Sequence, residues 1–424
     1  MIPVAWAEIA SLELGALHGE GGVVTGIKAD SRLVGPGDLF VALNTGVDFV
    51  DEARACGAAT LVPDNQFAAL AALAGLVRSK SGAKVVAVVG STGKTSTKDI
   101  LGALCSAAVP TVWAEGNQNN EIGLPLTVCR LEQDTEVLVT EMGMRGLGQI
   151  ADLCAIARPH LALVTSIGPE HLELVGTVDD VARANAEAIE ALPAGGVAVV
   201  PAGAVELEPY LGRTDIEVRR FDPAAIERDG GGWRFTLTER ELLLDLPFRA
   251  RHMAENTLAA LTAYDALGLP LDRVQQGVKQ IRLSPWRSET TELPGGGFVV
   301  NDAYNANPTS MRAALVDLTE RAGGRRRVAI LGEMAELGDA SVTYHREIGS
   351  LLAELDIEVL VAVGDGARAY LEPGVAEMRW LPGPDGFDDL LREGDAILVK
   401  ASRAVGLEGV PDRIAKLAET WLDR

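Results

Sequence analysis

Apolar positions along the chain fall into short runs that alternate with Ala- and Leu-rich stretches of helical spacing. The sharpest run is Lys84-Val-Val-Ala-Val-Val89, which lacks any polar residue after its lysine and so predicts a strand buried on both faces. It ends at Gly90, and residues 95–104 then read as a helix. Further strands are predicted at 136–140, 161–165 and 197–200, and an Ala/Leu helix ends near Leu267. Such alternation predicts a mainly parallel sheet with right-handed crossovers, whose ligands sit at the carboxyl ends of the strands.

Ahead of this block, strands are predicted at 22–27, 38–43 and 60–62 and a helix at 66–77. Behind it, Pro285 and the run Pro294-Gly-Gly-Gly297 mark a break. Strands at 298–301, 328–331, 359–363 and 396–399 and helices at 310–322 and 344–355 follow. The expectation is an α/β protein of three domains: 1–80, a central P-loop parallel sheet over 81–283, and a Rossmann-like C-terminal domain over 284–424. A chain of 424 residues is too long for one ordinary core. Val363-Gly364-Asp-Gly366 loosely matches a dinucleotide fingerprint but comes late in its domain, and it reads as a strand-to-helix turn.

The chemistry-bearing residues lie where the strands end. Gly90-Ser91-Thr92-Gly93-Lys94-Thr95-Ser96, between strand and helix, offers backbone N–H groups and a lysine to phosphates and a hydroxyl to magnesium. Val88 stands where the strict eight-residue pattern has glycine, and the plain alternative is a turn that happens to carry a lysine. Glu141 closes the next strand and is a magnesium ligand by position, or else a residue favoured by a helix dipole. His171 follows in Ile167-Gly-Pro-Glu-His-Leu-Glu173. Asn119 and Asn120 belong to an amide-rich loop able to dress a sugar-phosphate, Asn256 can pair with an adenine edge, and Ser31-Arg32 can hold a phosphate or a uracil edge. Asp302-Ala-Tyr-Asn305-Ala-Asn-Pro308 and Lys400-Ala-Ser402-Arg403 both follow apolar strands and are placed on the same sheet edge.

A net charge of −22 argues against a general nucleic-acid or anionic-membrane surface. The densest basic run, Arg325-Arg326-Arg327, is read as a solvated strand end. Four scattered cysteines, Cys56, Cys105, Cys129 and Cys154, suit small buried hydrophobes in a reducing compartment, with no zinc or disulfide framework. No run approaches a membrane span, and Met1 to Gly15 lacks the features of a signal peptide, so a cytoplasmic protein is expected.

With these stretches in place the chain resembles the Mur ligases. The most specific piece is Asp302-Ala-Tyr-Asn-Ala-Asn-Pro308 with Ser310-Met311. Gly-Ser-Thr-Gly-Lys-Thr, Asn119-Asn120-Glu121, Glu141-Met-Gly, His171-Leu-Glu, His252 with Asn256, Leu331-Gly-Glu-Met-Ala-Glu-Leu-Gly338 and Lys-x-Ser-Arg support it, in the family's order. The resemblance implies a monomeric ATP- and Mg²⁺-dependent ligase of peptidoglycan precursor synthesis. It would join D-alanyl-D-alanine to UDP-N-acetylmuramoyl-tripeptide through an acyl phosphate. By the same resemblance Lys94 binds phosphate, Thr95 and Glu141 hold the first magnesium, and His171 joins a second. Asn256 meets adenine, Asp302 and Asn305 touch the nucleotide, and Arg287 reaches the phosphates. Ser31 and Arg32 bind uridine, Asn119 and Asn120 line the substrate channel, and Lys400, Ser402 and Arg403 serve the substrate.

Two departures accompany the resemblance. Asn185 stands where the family usually has a lysine, which leaves Glu187 as an alternative metal ligand or implies an impaired enzyme. Asn44 to Phe49 is short against the family's first-domain loop. The other readings are a catalytically silent nucleotide-binding relative and a different carboxylate-amine ligase such as a folylpolyglutamate synthase.

Overall fold

The computed structural model describes residues 1–19, 21–238, 240–372 and 374–421. They form two compact units, each assembled from separated stretches of chain. The first comprises Met1–Thr165, Arg183–Pro247 and Thr257–Arg282, and the second Ser166–Ala182, Phe248–Asn256 and Leu283–Arg424.

The first unit is built on a six-stranded sheet, parallel throughout. Its strands run Glu217–Phe221, Val197–Pro201, Leu161–Val164, Lys84–Val89, Val137–Glu141, Thr111–Trp113 across the sheet. Val85 to Val89 are all fully buried, as a valine run covered on both faces requires. From Lys84–Val89 the chain steps outward to the edge strand Thr111–Trp113, returns to Val137–Glu141, and then crosses to Leu161–Val164 on the other side. The central strand is therefore the topological switch point, where ligands of such sheets bind. The phosphate-loop helix, Lys94–Ser106, begins at its end.

Beyond a two-stranded pairing of Val4–Ala5 with Val23–Val24, two smaller sheets complete this unit. One has four strands in the order Gly15–His18, Ala59–Pro63, Asp38–Val41, Gly26–Lys28. The other is an antiparallel meander of Ile226–Asp229, Gly232–Leu237 and Arg240–Leu244, absent from the expectation above. Its middle strand buries Trp233, Phe235 and Leu237 in strict alternation, a period of two that the glycines before it and the charges around it obscured.

The second unit carries another six-stranded sheet, in the order Glu289–Glu292, Phe298–Asp302, Ala396–Lys400, Arg327–Gly332, Val359–Val363, Glu377–Leu381. Only the first pairing is antiparallel. Both edge strands escaped the hydrophobic pattern because they are largely polar or only half-buried. The helix Pro308–Ala322 starts where Asn307 accepts from Ser310 N–H at 2.8 Å and Pro308 fills the first helical position. After Val363 the chain turns at Gly364, φ +92°, into a 3₁₀ turn, Gly366–Leu371.

Arg325-Arg326-Arg327 is a solvated strand end only at Arg325, which is exposed, while Arg326 and Arg327 are half-buried. Arg326 grips Asp395 with two hydrogen bonds of 2.9 and 2.8 Å, Arg325 donates to Gly296 O, and Arg327 donates to Leu355 O. Cys105, Cys129 and Cys154 are buried and Cys56 is exposed. Burial pushes the Cys129 and Cys154 thiols up to about 12, which leaves them inert. Among the described residues no helix is long and apolar enough to cross a membrane.

Candidate active site

In the first unit the phosphate loop is a constrained turn. Gly90 and Gly93 adopt φ of +126° and +80°, which a side chain would resist. The Gly90 N–H donates to Asn185 Oδ1 at 2.6 Å, and the Gly90 carbonyl accepts from the Lys94 ammonium. Thr165 Oγ1 donates to Thr92 O at 2.5 Å and lies 3.1 Å from Val89 O, which binds the loop to the end of the neighbouring strand. Lys94 is half-buried, whereas Ser91, Thr95 and Ser96 are buried.

Strand register places Glu141 opposite Val88, beside the loop. Its carboxylate is 1 % exposed. Oε1 accepts from Asn119 Nδ2 at 2.8 Å, while Oε2 is buried without a partner. A buried carboxylate oxygen left bare is costly unless a cation meets it, so this residue fits a magnesium ion beside bound phosphate. Thr95 and Glu141 are the residues that would hold that ion. Asn120 caps its own loop, its Oδ1 accepting from Ile122 and Gly123 N–H.

Glu187, the alternative metal ligand, is engaged otherwise. Its two oxygens accept from Gly148 N–H at 2.6 Å and Ala151 N–H at 3.0 Å, capping the helix Gln149–Ala157. The positive end of that helix attracts a carboxylate.

Ser31 and Arg32 form a short turn after the strand Gly26–Lys28 of the four-stranded sheet. The exposed Arg32 guanidinium already pairs with Asp30 at 2.6 and 2.9 Å and holds that carboxyl down at about 2. A cavity of about 570 Å³ lined by Arg78, Arg158 and His160 contains none of these residues. Its buried Arg78 guanidinium is occupied by backbone carbonyls.

In the second unit His171 adopts φ +50° and Glu336 φ +62°, and the Glu336 carboxylate contacts His171 Nδ1. Left-handed backbone at two residues without glycine's freedom marks a segment held in place by its surroundings. Glu336 was not singled out by sequence, since its partner lies 165 positions away. His252 Nε2 meets Ser288 Oγ at 3.1 Å, and Asn256 is half-buried, its amide 3.7 Å from Met253 Sδ.

The stretch Trp286-Arg287-Ser288 also carries positive φ, at Trp286 and Ser288. Arg287 lies 3.9 Å over the Tyr304 ring and Arg403 4.1 Å over Trp286, so both guanidinium groups rest on aromatic faces. Tyr304 and Trp286 thus support two of the candidate arginines, a role that residue type alone did not assign them. Lys400 is buried, and its ammonium donates to Asp302 Oδ2 at 2.5 Å and Asn305 O at 2.8 Å. Ser402 Oγ accepts from Ala335 N–H at 2.9 Å and donates to Ala306 O at 3.3 Å. Lys400 and Ser402 therefore fix the Asp302–Asn307 loop, while Asn305 and Arg403 remain exposed.

Residues 88–264 match the Mur ligase middle domain, and residues 286–403 match the Mur ligase glutamate ligase domain. The chain belongs to the Mur ligase family. It is 33 % identical over 401 residues to the UDP-N-acetylmuramoyl-tripeptide–D-alanyl-D-alanine ligase of Escherichia coli K12, covering 87 % of this chain and 88 % of that one. Among solved structures, MurF from Acinetobacter baumannii superposes with a TM-score of 0.86 at 28 % identity, covering 98 % of this chain and 99 % of that one. MurF from Thermotoga maritima in complex with ADP gives 0.81 at 27 % identity, with 93 % and 98 % covered.

Proposed function

We infer that the chain is an ATP-dependent ligase that joins D-alanyl-D-alanine to UDP-N-acetylmuramoyl-tripeptide. The observation that carries this reading is the bare, buried Glu141 oxygen beside a Gly-Ser-Thr-Gly-Lys-Thr turn, in a chain whose Mur ligase relatives bear that activity in their names. A carboxylate oxygen of the tripeptide attacks the γ-phosphorus of ATP and the bond to ADP breaks, giving an acyl phosphate. The dipeptide amine then attacks the acyl carbon, loses its proton, and expels phosphate as the amide forms. No enzyme nucleophile is required.

The protein's part is positioning and charge neutralisation. Lys94, released from Gly90 O, turns to the β- and γ-phosphates. Thr95 and Glu141 would hold a magnesium ion, which would supply charge neutralisation at the phosphates. His171, oriented by Glu336, serves the acyl-phosphate side, and Arg287 supplies a further positive charge. Asn256 meets adenine, and Asp302 and Asn305 the rest of the nucleotide. Ser31 and Arg32 take uridine, and Asn119 and Asn120 the muramoyl peptide. Arg403 faces the dipeptide, with Lys400 and Ser402 holding the loop beneath.

We extend the proposal to a division into 1–80 for UDP, 81–283 for ATP and 284–424 for the dipeptide, and to a cytoplasmic monomer. The test is phosphate release from ATP with Mg²⁺, UDP-muramoyl-tripeptide and D-alanyl-D-alanine, each omitted in turn. Release that needs every component, with a pentapeptide product by mass, is expected. ATP binding without release would favour a silent relative.

A further inference from the structure

We propose that Asn119 is a positioning residue for Glu141, taking one carboxylate oxygen so that the other is presented alone to Mg²⁺. The proposal rests on Glu141 being a magnesium ligand. Asn119 is fastened to the end of the Glu141 strand at two points. Its side-chain Nδ2 donates to Glu141 Oε1 at 2.8 Å, and its carbonyl accepts from Gly143 N–H at 2.8 Å. The amide thereby blocks rotation of the carboxylate and leaves Oε2 as a single ligand. One fixed oxygen suits an ion that demands near-ideal octahedral geometry and fills its other positions with phosphate and water.

The loop that carries Asn119 is anchored by Lys98, a lysine with no exposed surface. Its ammonium has three protons and three acceptors: Asp99 Oδ1 at 2.5 Å, Ala114 O at 2.7 Å and Gly116 O at 3.1 Å. Lys98 lies one turn beyond Lys94 on the same helix. The helix that delivers the phosphate-binding lysine therefore also sets the loop that aims the metal-binding carboxylate. Gly143 gives independent access to the same contact. A Cβ there would stand 3.1 Å from Asn119 Nδ2 and 3.2 Å from Asn119 Cγ, and the backbone does not demand glycine because its φ is not positive.

The experiment titrates Mg²⁺ against binding of a fluorescent ADP analogue to the full chain, with parallel binding in EDTA and thermal unfolding. Asn119→Ala is expected to raise half-saturating Mg²⁺ about 10-fold, as loss of a group orienting a metal ligand does. Metal-free nucleotide affinity should stay as it was, while the thermal midpoint in EDTA should fall, because the buried Glu141 carboxylate loses the Asn119 donor. Gly143→Ala, which displaces the amide without removing it, should shift Mg²⁺ dependence in the same direction by less, and keeps the proposal testable should Asn119→Ala fold poorly. Glu141→Gln separates the two layers of the argument. If it raises the Mg²⁺ requirement while Asn119→Ala and Gly143→Ala leave it unchanged, the positioning role is overturned. If Glu141→Gln changes nothing either, the assignment of Glu141 to the metal has failed, and the proposal with it.

Discussion

Lys400 Nζ lies 2.5 Å from Asp302 Oδ2, across a register that sets these residues side by side at the ends of neighbouring parallel strands. The pair is nearly out of solvent, with side-chain exposures of 3 % and 14 %. Asp302 also accepts from Ser288 N–H at 3.1 Å, so one carboxylate joins the strand end, the lysine and the strained Trp286–Ser288 segment.

Removing one partner of such a pair strands the other. Lys400→Met is expected to destabilise the second unit by about 3 kcal/mol, the low end for a broken buried pair because Asp302 keeps some solvent. Urea unfolding followed by tryptophan fluorescence measures it. A change below about 0.5 kcal/mol would mean that water replaces the ammonium without penalty.

Lys94 behaves oppositely, because it is only half-buried and its ammonium reaches the Gly90 carbonyl of the turn and not the core. Lys94→Ala should lower kcat by at least about 10³, the scale of losing a charge-stabilising donor at a reacting group. The thermal midpoint should hardly move, as for substitutions away from the core. Substantial ATP-dependent ligation by this variant would sink the phosphate-binding assignment.

The contrast between these lysines shows what was legible in the sequence. Lys94 was readable because strand, glycine turn and helix are contiguous, and local order alone places its ammonium at the helix start. The inner strands of the parallel sheets were readable for the same reason, since each is an unbroken apolar run covered on both faces, whereas the edge strands are polar or half-buried. Lys400 and Ser402 were singled out by their place after a strand, but the contacts they make were not readable. Their partners come from Asp302 to Ala306 and Ala335, brought together only when parallel strands align. The Glu141–Asn119 and His171–Glu336 pairs were hidden likewise, because sequence separation carries no record of which carboxylate a folded loop will meet. The Trp233 meander was present as a two-residue alternation that the neighbouring glycines and charges masked.

His345 supplies a pH-dependent contribution. It is fully buried, with Nε2 accepting from Met334 N–H at 3.0 Å and Nδ1–H donating to Ser341 O at 2.7 Å. Only the neutral ring does both. Burial lowers its pKa below the ordinary 6.5, against smaller opposing effects of the Ser341 carbonyl and Glu333. The unfolded chain therefore binds this proton more readily than the folded one. The stability is complete above about pH 6.5 and is lost as pH falls through the lowered folded value. His345→Gln should accordingly differ most from the parent at neutral pH, and the gap should narrow toward pH 5 in paired thermal unfolding measurements. A gap independent of pH would show that the ring contributes packing alone.

Asn185 decides whether the missing lysine matters. Its side chain is 1 % exposed, and its Oδ1 accepts the Gly90 N–H at 2.6 Å, so Gly90 is held at its N–H by asparagine and at its carbonyl by Lys94. Asn185→Ala removes an acceptor from a buried donor, a loss of about 1–3 kcal/mol. It should raise KM for ATP while leaving magnesium dependence alone, because the disturbed group is the loop and not the metal ligand. Asn185→Lys is the sharper test. An ammonium is donor only and cannot accept from Gly90 N–H. Installing the lysine that other family members carry should therefore lower kcat/KM for ATP below the parent's, even with added bicarbonate. A more active, bicarbonate-dependent lysine variant would instead identify Asn185 as a defect that this chain tolerates.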